Sequence, residues 1–276
     1  MLTLFPKFKK RMIIFEVVYV ALMVTLYVLK PTASPIALAL MLIVGGLFIA
    51  AAQYINAVNT HNRQLNRLYN QLDAEGFLKE DEPHLQQNPS NPQLYTMVRL
   101  HLTNAYAAQG RFDEAMKLLT STPIRACKKP EQTLMNRFAI TSNLCYCAEQ
   151  MGDLDTAKKY LDELHGYKNE LEEIQKTKKP KQRMAFSCEL NDQCMKLLST
   201  GKCDVQALKT QVQSNNTQQL HRITTSLWIA RAYLAEQNRR EAENILQQIV
   251  KLAPDLYPGK EAARMLAELP AAAQAK

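Results

Sequence analysis

The sequence predicts an all-α protein in which a two-helix transmembrane hairpin precedes a domain of repeated helix–turn–helix units. Three observations support this: two long apolar stretches near the N-terminus, few glycines, and a recurring residue pattern after residue 93. Only 8 of 276 residues are Gly, and Ala, Leu, Gln, Lys and Glu dominate after residue 60. Such a composition favours helices over strands.

The two apolar stretches lie at about 12–29 and about 36–55. A bilayer core about 30 Å thick requires ~20 apolar residues in a helix, and both stretches approach that length. Because the connection 30–35 is too short to be a domain, residues 1–55 are predicted to form a transmembrane hairpin. A cleaved signal peptide has a similar basic start, but here a second apolar stretch follows almost at once.

Basic residues near the helix ends predict the orientation of the hairpin. Four cations precede the first helix, whereas the connection carries only Lys30. Because cytoplasmic flanks are enriched in Lys and Arg, both termini and the C-terminal domain are predicted to be cytoplasmic, at the plasma membrane. The six cysteines are then expected to be reduced thiols.

The second apolar helix is expected to continue beyond the membrane. Since residues 53–75 contain neither Pro nor Gly, one helix is predicted from Ile36 to about Ala74, with residues 56–79 as a helical stalk. Three prolines then mark 80–93 as a linker. Within the membrane, small residues spaced four apart, such as Gly46 and Ala50, predict a close helix contact, either inside the hairpin or between copies.

Three segments after residue 93 share one spacing of apolar, turn and small residues. In each, an apolar residue precedes an alanine by thirteen positions. The segments are Leu102–Gly110–Ala115, Leu144–Gly152–Ala157 and Ile229–Ala242. A degenerate fourth unit is predicted within 184–212, a capping helix at 257–269, and a frayed tail at 270–276.

This pattern resembles the tetratricopeptide repeat over about residues 94–269. The resemblance implies an α-solenoid of three to four units, in which Ala115, Ala157 and Ala242 let the second helix approach the first. Ala107 is expected on the open face of a first helix. The tryptophan usual in the first helix is absent, and Arg99, Thr141 and Ser226 take its place.

The resemblance also implies a concave groove, lined by the first helices, that binds a protein or peptide partner. A subgroup of the family clamps a C-terminal carboxylate, but Leu100 stands where that clamp needs lysine. The alternative is that these residues are ordinary surface. The groove positions are His101, Asn104, Asn143, Tyr146, Trp228 and Arg231.

A basic segment lies between the repeats, where Pro180 predicts a loop. It is interpreted either as a solvated loop or as a contact with anionic lipid headgroups. Nucleic acid is not expected, because no recognition helix or aromatic pattern accompanies the cations. The five cations are Lys176, Lys178, Lys179, Lys181 and Arg183.

No phosphate-binding, zinc-protease or serine-hydrolase motif is found, so an enzyme is not predicted. No cofactor or metal is expected either, since Cys145 and Cys147 lack zinc-site spacing. The predicted function is a membrane-anchored scaffold that binds a protein or peptide at the cytoplasmic membrane face. The alternative is an accessory or regulatory subunit of a membrane enzyme or transporter, contacting that membrane protein through the hairpin. An enzyme with an unrecognised site is a third hypothesis.

Overall fold

The computed structural model describes residues 5–29, 34–84, 91–174, 178–213 and 218–269. Within these ranges the chain is all-helical, which confirms the predicted fold class. The described residues form two compact units, one ending at Leu65 and the other beginning at Asn66. The helices are α1 Pro6–Leu29, α2 Pro35–Tyr69, α3 Ala74–Asp81, α4 Pro92–Ala108, α5 Phe112–Thr120, α6 Pro130–Met151, α7 Leu154–Ile174, α8 Lys178–Thr200, α9 Val205–Gln213, α10 Gln219–Ala235, α11 Arg239–Leu252 and α12 Tyr257–Glu268, with a 3₁₀ turn at Glu82–His84.

The first unit consists of α1 and most of α2, which are antiparallel. The Tyr19 hydroxyl donates a hydrogen bond to the Met41 carbonyl at 2.7 Å. A methyl group on Gly45 would lie 2.2 Å from the Tyr19 ring, so the absent side chain makes this contact possible. The predicted close contact at Gly46 is not made within the hairpin, because a side chain there would meet nothing within 4 Å; a contact between copies stays a prediction.

The second apolar helix ends at Tyr69 and does not continue to Ala74 as predicted. Leu72 adopts a left-handed conformation with φ 62°, and the Asp73 carboxylate caps α3 by accepting from the Gly76 amide at 2.8 Å. Arg67 also pairs with Asp73, which fixes the turn. The predicted 56–79 stalk is therefore broken at 70–73. The predicted 80–93 linker is helical up to His84, and 85–90 lie outside the described residues.

The second unit contains four helical hairpins, α4–α5, α6–α7, α8–α9 and α10–α11, followed by α12. Three of the turns between paired helices have the same backbone conformation. A left-handed residue ends the first helix, and the next amide donates to the carbonyl five residues earlier, as in a Schellman motif. These bonds are Arg111 to Tyr106 at 2.9 Å, Asp153 to Ala148 at 3.0 Å, and Asn238 to Tyr233 at 2.8 Å.

The small residues of the repeat pattern lie where the two helices of a hairpin meet. Ala115, Ala157 and Ala242 are all fully buried. In the second hairpin the Cys145 thiol lies 3.4 Å from the Ala157 carbonyl. A larger side chain would separate the helices, so the fold depends on small residues at these positions. The expectation for Ala107 is wrong, since it is only 5% exposed.

Gln237 is expected to be a site where glycine stabilises the repeat unit. It occupies the turn position held by Gly110 and Gly152 in the other hairpins, and its φ is 60°. A residue with a side chain costs about 1 kcal/mol in this left-handed backbone conformation, because its Cβ crowds the following carbonyl. Gln237→Gly should raise the free energy of unfolding by up to about 1 kcal/mol, measured by denaturation followed by circular dichroism. Gly152→Ala should lower it by a similar amount; a destabilised Gln237→Gly protein would contradict the strain argument.

Candidate functional site

The first helices of the hairpins enclose a cavity of about 240 Å³ in the second unit. We call it the inter-helix cavity; its wall comes from α4, α6, α8, α9 and α10. Four of the six predicted groove residues line it, although they come from three separate hairpins: Asn104, Asn143, Tyr146 and Trp228. Ala107 also lines the wall, which explains its burial without a tight helix contact.

His101 is placed beside the cavity by Tyr69, a residue that sequence analysis did not identify. The Asn104 amide donates to the Tyr69 hydroxyl at 2.7 Å, and that hydroxyl lies 2.7 Å from His101 Nδ1. The Tyr69 ring also stacks on His221, with centroids 5.5 Å apart. Burial raises the pKa of Tyr69 to about 12, so the phenol stays neutral. No local pattern marks Tyr69, because its partners lie more than 30 residues away.

Arg231 does not line the cavity wall but is held by the C-terminal helix α12. Its guanidinium donates to the Gln150 side-chain oxygen at 3.2 Å and pairs with Glu261 at 3.2 Å. It also stacks on the Trp228 ring, 4.6 Å from the centroid. Arg231 therefore positions Trp228 and joins α10 to α12, rather than presenting a charge to the cavity.

Tyr257 at the start of α12 completes this junction. Its hydroxyl donates to the Gln150 side-chain oxygen at 3.2 Å, and its ring meets Phe112 edge to face at 4.8 Å. A methyl group on Gly110 would lie 3.1 Å from the Tyr257 ring. The predicted capping helix thus also packs against the first hairpin, far away in sequence.

Glu149 is a buried carboxyl group on the cavity wall that sequence analysis missed. It is 2% exposed and accepts a hydrogen bond from the Cys145 thiol at 3.5 Å. Burial raises its pKa to about 8, and the nearest cationic influence, Arg231, offsets this only in part. Among the described residues, none forms an ion pair with Glu149. Its neighbours Tyr146 and Cys194 are buried and neutral, because burial raises their pKa values.

The cysteines are free thiols, and four of them are buried core residues. Burial raises the pKa of Cys147 to about 12 and that of Cys188 to about 11, so neither is a reactive thiolate at neutral pH. Within the described ranges, no three His, Cys, Asp or Glu side chains are close enough to hold a metal ion.

The basic segment differs from the predicted loop. Lys178, Lys179, Lys181 and Arg183 lie in the first turns of α8, while Lys176 lies outside the described residues. Pro180 is compatible with helix here, because first-turn amides need no intrahelical acceptor. A contact with anionic lipid remains a prediction.

Comparison with known proteins finds family matches for two segments of the second unit. Residues 99–131 and 225–255 each match a family model described as tetratricopeptide repeat. These matches cover the α4–α5 and α10–α11 hairpins, while α6–α7 has the same turn geometry outside both matches. No curated protein and no solved structure matches the chain. The chain therefore carries tetratricopeptide repeats at residues 99–131 and 225–255.

Proposed function

We propose that this protein is a membrane-anchored scaffold that binds a protein or peptide partner through its tetratricopeptide repeats at the cytoplasmic membrane face. Tetratricopeptide repeats suggest a protein-interaction scaffold and are typically non-catalytic. The observation that carries the proposal is the inter-helix cavity, where side chains from three hairpins converge. Convergent polar and aromatic groups in a concave surface are typical of binding sites.

Membrane anchoring is supported by the surface of α1 and α2. Both helices have the length and apolar composition to cross a membrane, since 24 residues of helix span about 36 Å. Their apolar side chains are exposed on all sides, including Val17 at 63% and Phe48 at 72%. Soluble proteins rarely expose apolar patches of this size. A lipid environment would bury them.

The cytoplasmic orientation rests on the distribution of cations. Lys7, Lys9, Lys10 and Arg11 precede the apolar part of α1, and Lys30 is the sole cation of the connection 30–35. The positive-inside rule then places both termini and the repeats in the cytoplasm.

Site-specific photo-crosslinking in intact cells tests the proposal. A photoreactive amino acid at Tyr146, on the cavity wall, should yield a discrete crosslink to another protein in the membrane fraction. The same group at Lys158, on the exposed surface of α7, is the matched control and should not yield it. Identical crosslinking patterns at both positions would argue against the cavity as the binding surface.

Exchange of the hairpin separates the scaffold from the alternative, an accessory subunit of a membrane enzyme or transporter. If residues 1–55 are replaced by an unrelated anchor, a scaffold keeps the Tyr146 crosslink. A subunit that contacts its partner through the hairpin loses it. Recovery of the full-length chain in the soluble fraction would contradict both.

A further inference from the structure

We infer that the inter-helix cavity is a receptor for an aliphatic ammonium group, such as a lysine side chain that the partner inserts between α6, α8 and α10. This inference rests on the proposed function and specifies the chemistry of the partner. It follows from the hydrogen-bonding state of the polar side chains on the cavity wall.

Three asparagines on the wall have their amide nitrogens engaged within the protein. Asn143 donates to the Ala139 carbonyl and Asn191 donates to the Ser187 carbonyl, both at 2.9 Å. Asn104 donates to the Tyr69 hydroxyl at 2.7 Å. A backbone carbonyl only accepts, so the nitrogen must face it in Asn143 and Asn191. Besides its second N–H, each of these three amides therefore keeps its oxygen as an acceptor for a ligand.

Two hydroxyl donors on the wall are also engaged within the protein. Thr224 donates to the His221 carbonyl at 3.0 Å, and the Ser142 and Ser187 hydroxyls lie 2.9 Å apart, sharing one hydrogen bond. No lysine or arginine is among the described residues that line the cavity. The wall is thus rich in acceptors and lacks a cation of its own.

Glu149 supplies the negative charge that an ammonium group requires. It lines the cavity and is nearly inaccessible. The nearby cation, Arg231, forms its ion pair with Glu261 and stacks on the Trp228 ring, so it offsets the burial of Glu149 only in part. Burial of an unpaired carboxyl favours its protonated form. An arriving ammonium would reverse this preference, and the carboxyl would release its proton to solvent.

The size and aromatic content of the cavity also fit such a group. Its volume of about 240 Å³ is below the ~300 Å³ at which ordinary small-molecule pockets begin, so it suits a side chain better than a whole cofactor. Tyr146 and Phe186 line it as well. Aromatic faces attract cations, more strongly when both are desolvated.

Fluorescence of Trp228, the single tryptophan of the chain, reports directly on the cavity. In full-length protein in detergent, n-butylammonium should change this emission in a saturable way, and the neutral analogue n-pentanol should bind about tenfold more weakly. Equal affinity for the two probes, or no saturable response to butylammonium, would overturn the inference.

Variants of cavity-wall residues test whether butylammonium binds there. Glu149→Gln should weaken butylammonium binding about tenfold or more, and Glu170→Gln, an exposed carboxylate of α7, should leave it unchanged. Asn143→Ala removes one acceptor oxygen from a partly exposed side chain and should weaken binding severalfold, which keeps the test valid if Glu149→Gln does not fold. Unchanged affinity in Asn143→Ala and in a folded Glu149→Gln would overturn the inference. If the inference about ammonium binding fails but the Tyr146 crosslink is still formed, the scaffold proposal is unaffected.

Discussion

Glu149→Gln is expected to remove a large part of the pH dependence of stability between pH 5 and pH 9. Burial raises the pKa of Glu149 to about 8 from 4.5, so the folded state holds this proton more tightly than the unfolded state. The stabilisation is therefore complete below about pH 4.5 and is lost as the pH rises towards 8. At 1.36 kcal/mol per pKa unit, the loss amounts to about 4 kcal/mol by pH 9.

Glutamine has nearly the shape of the protonated carboxyl and cannot ionise. Between pH 5 and pH 9, the free energy of unfolding of the variant should therefore fall by about 4 kcal/mol less than that of the wild type. Denaturant unfolding of the full-length chain at several pH values, followed by circular dichroism, measures the difference. Glu170→Gln on the exposed surface of α7 should follow the wild-type curve. Parallel curves for Glu149→Gln and wild type would mean that Glu149 is ionised and paired in the folded state.

Ala115→Leu is expected to destabilise the repeat unit by about 1–3 kcal/mol. Ala115 is fully buried where α5 approaches α4, and extra methyl groups in a close-packed contact force the backbone apart. Ala242→Leu should have a similar effect, because Ala242 holds the equivalent place in α11. The free energy of unfolding of the full-length chain is the measured quantity.

Ala107→Leu is the matched control and should cost much less. Ala107 is also buried, but it lines the inter-helix cavity, so the larger side chain has empty space to enter. The same variant should weaken butylammonium binding by filling that space. Equal destabilisation by leucine at 107, 115 and 242 would show that the cavity wall is as tightly packed as the helix contacts.

Local sequence determined the helices and the hairpin turns. Long apolar stretches define most of α1 and the first part of α2, and thirteen-residue spacing to alanine defines the repeat pairs. These features act through neighbours on one helix or across one turn, so the sequence pattern shows them directly. Gln237 shows the limit: its left-handed backbone, with φ 60°, was not predicted, because its residue type gives no signal for it.

Only the tertiary structure decided which groove positions meet in one cavity. Asn104, Asn143, Tyr146 and Trp228 were predicted from the repeat register, and the structure brings them together. Arg231 was predicted with them, but it is held by Glu261 of α12 and Gln150 of α6. Such pairings join residues from different hairpins, and no local spacing encodes them.

Sequence analysis likewise did not reveal the chemistry of the cavity. Glu149 resembles any polar residue near a helix end, and Tyr69 lies in what the sequence predicts to be a stalk. Burial raises the pKa of Glu149 to about 8, and Tyr69 forms a hydrogen bond with Asn104 of the cavity wall. The sequence by itself therefore determined the fold class, the repeat hairpins and their close contacts at Ala115, Ala157 and Ala242, because these depend on neighbouring residues. The tertiary structure decided the burial and charge state of the site, because both depend on distant helices that remove a side chain from water.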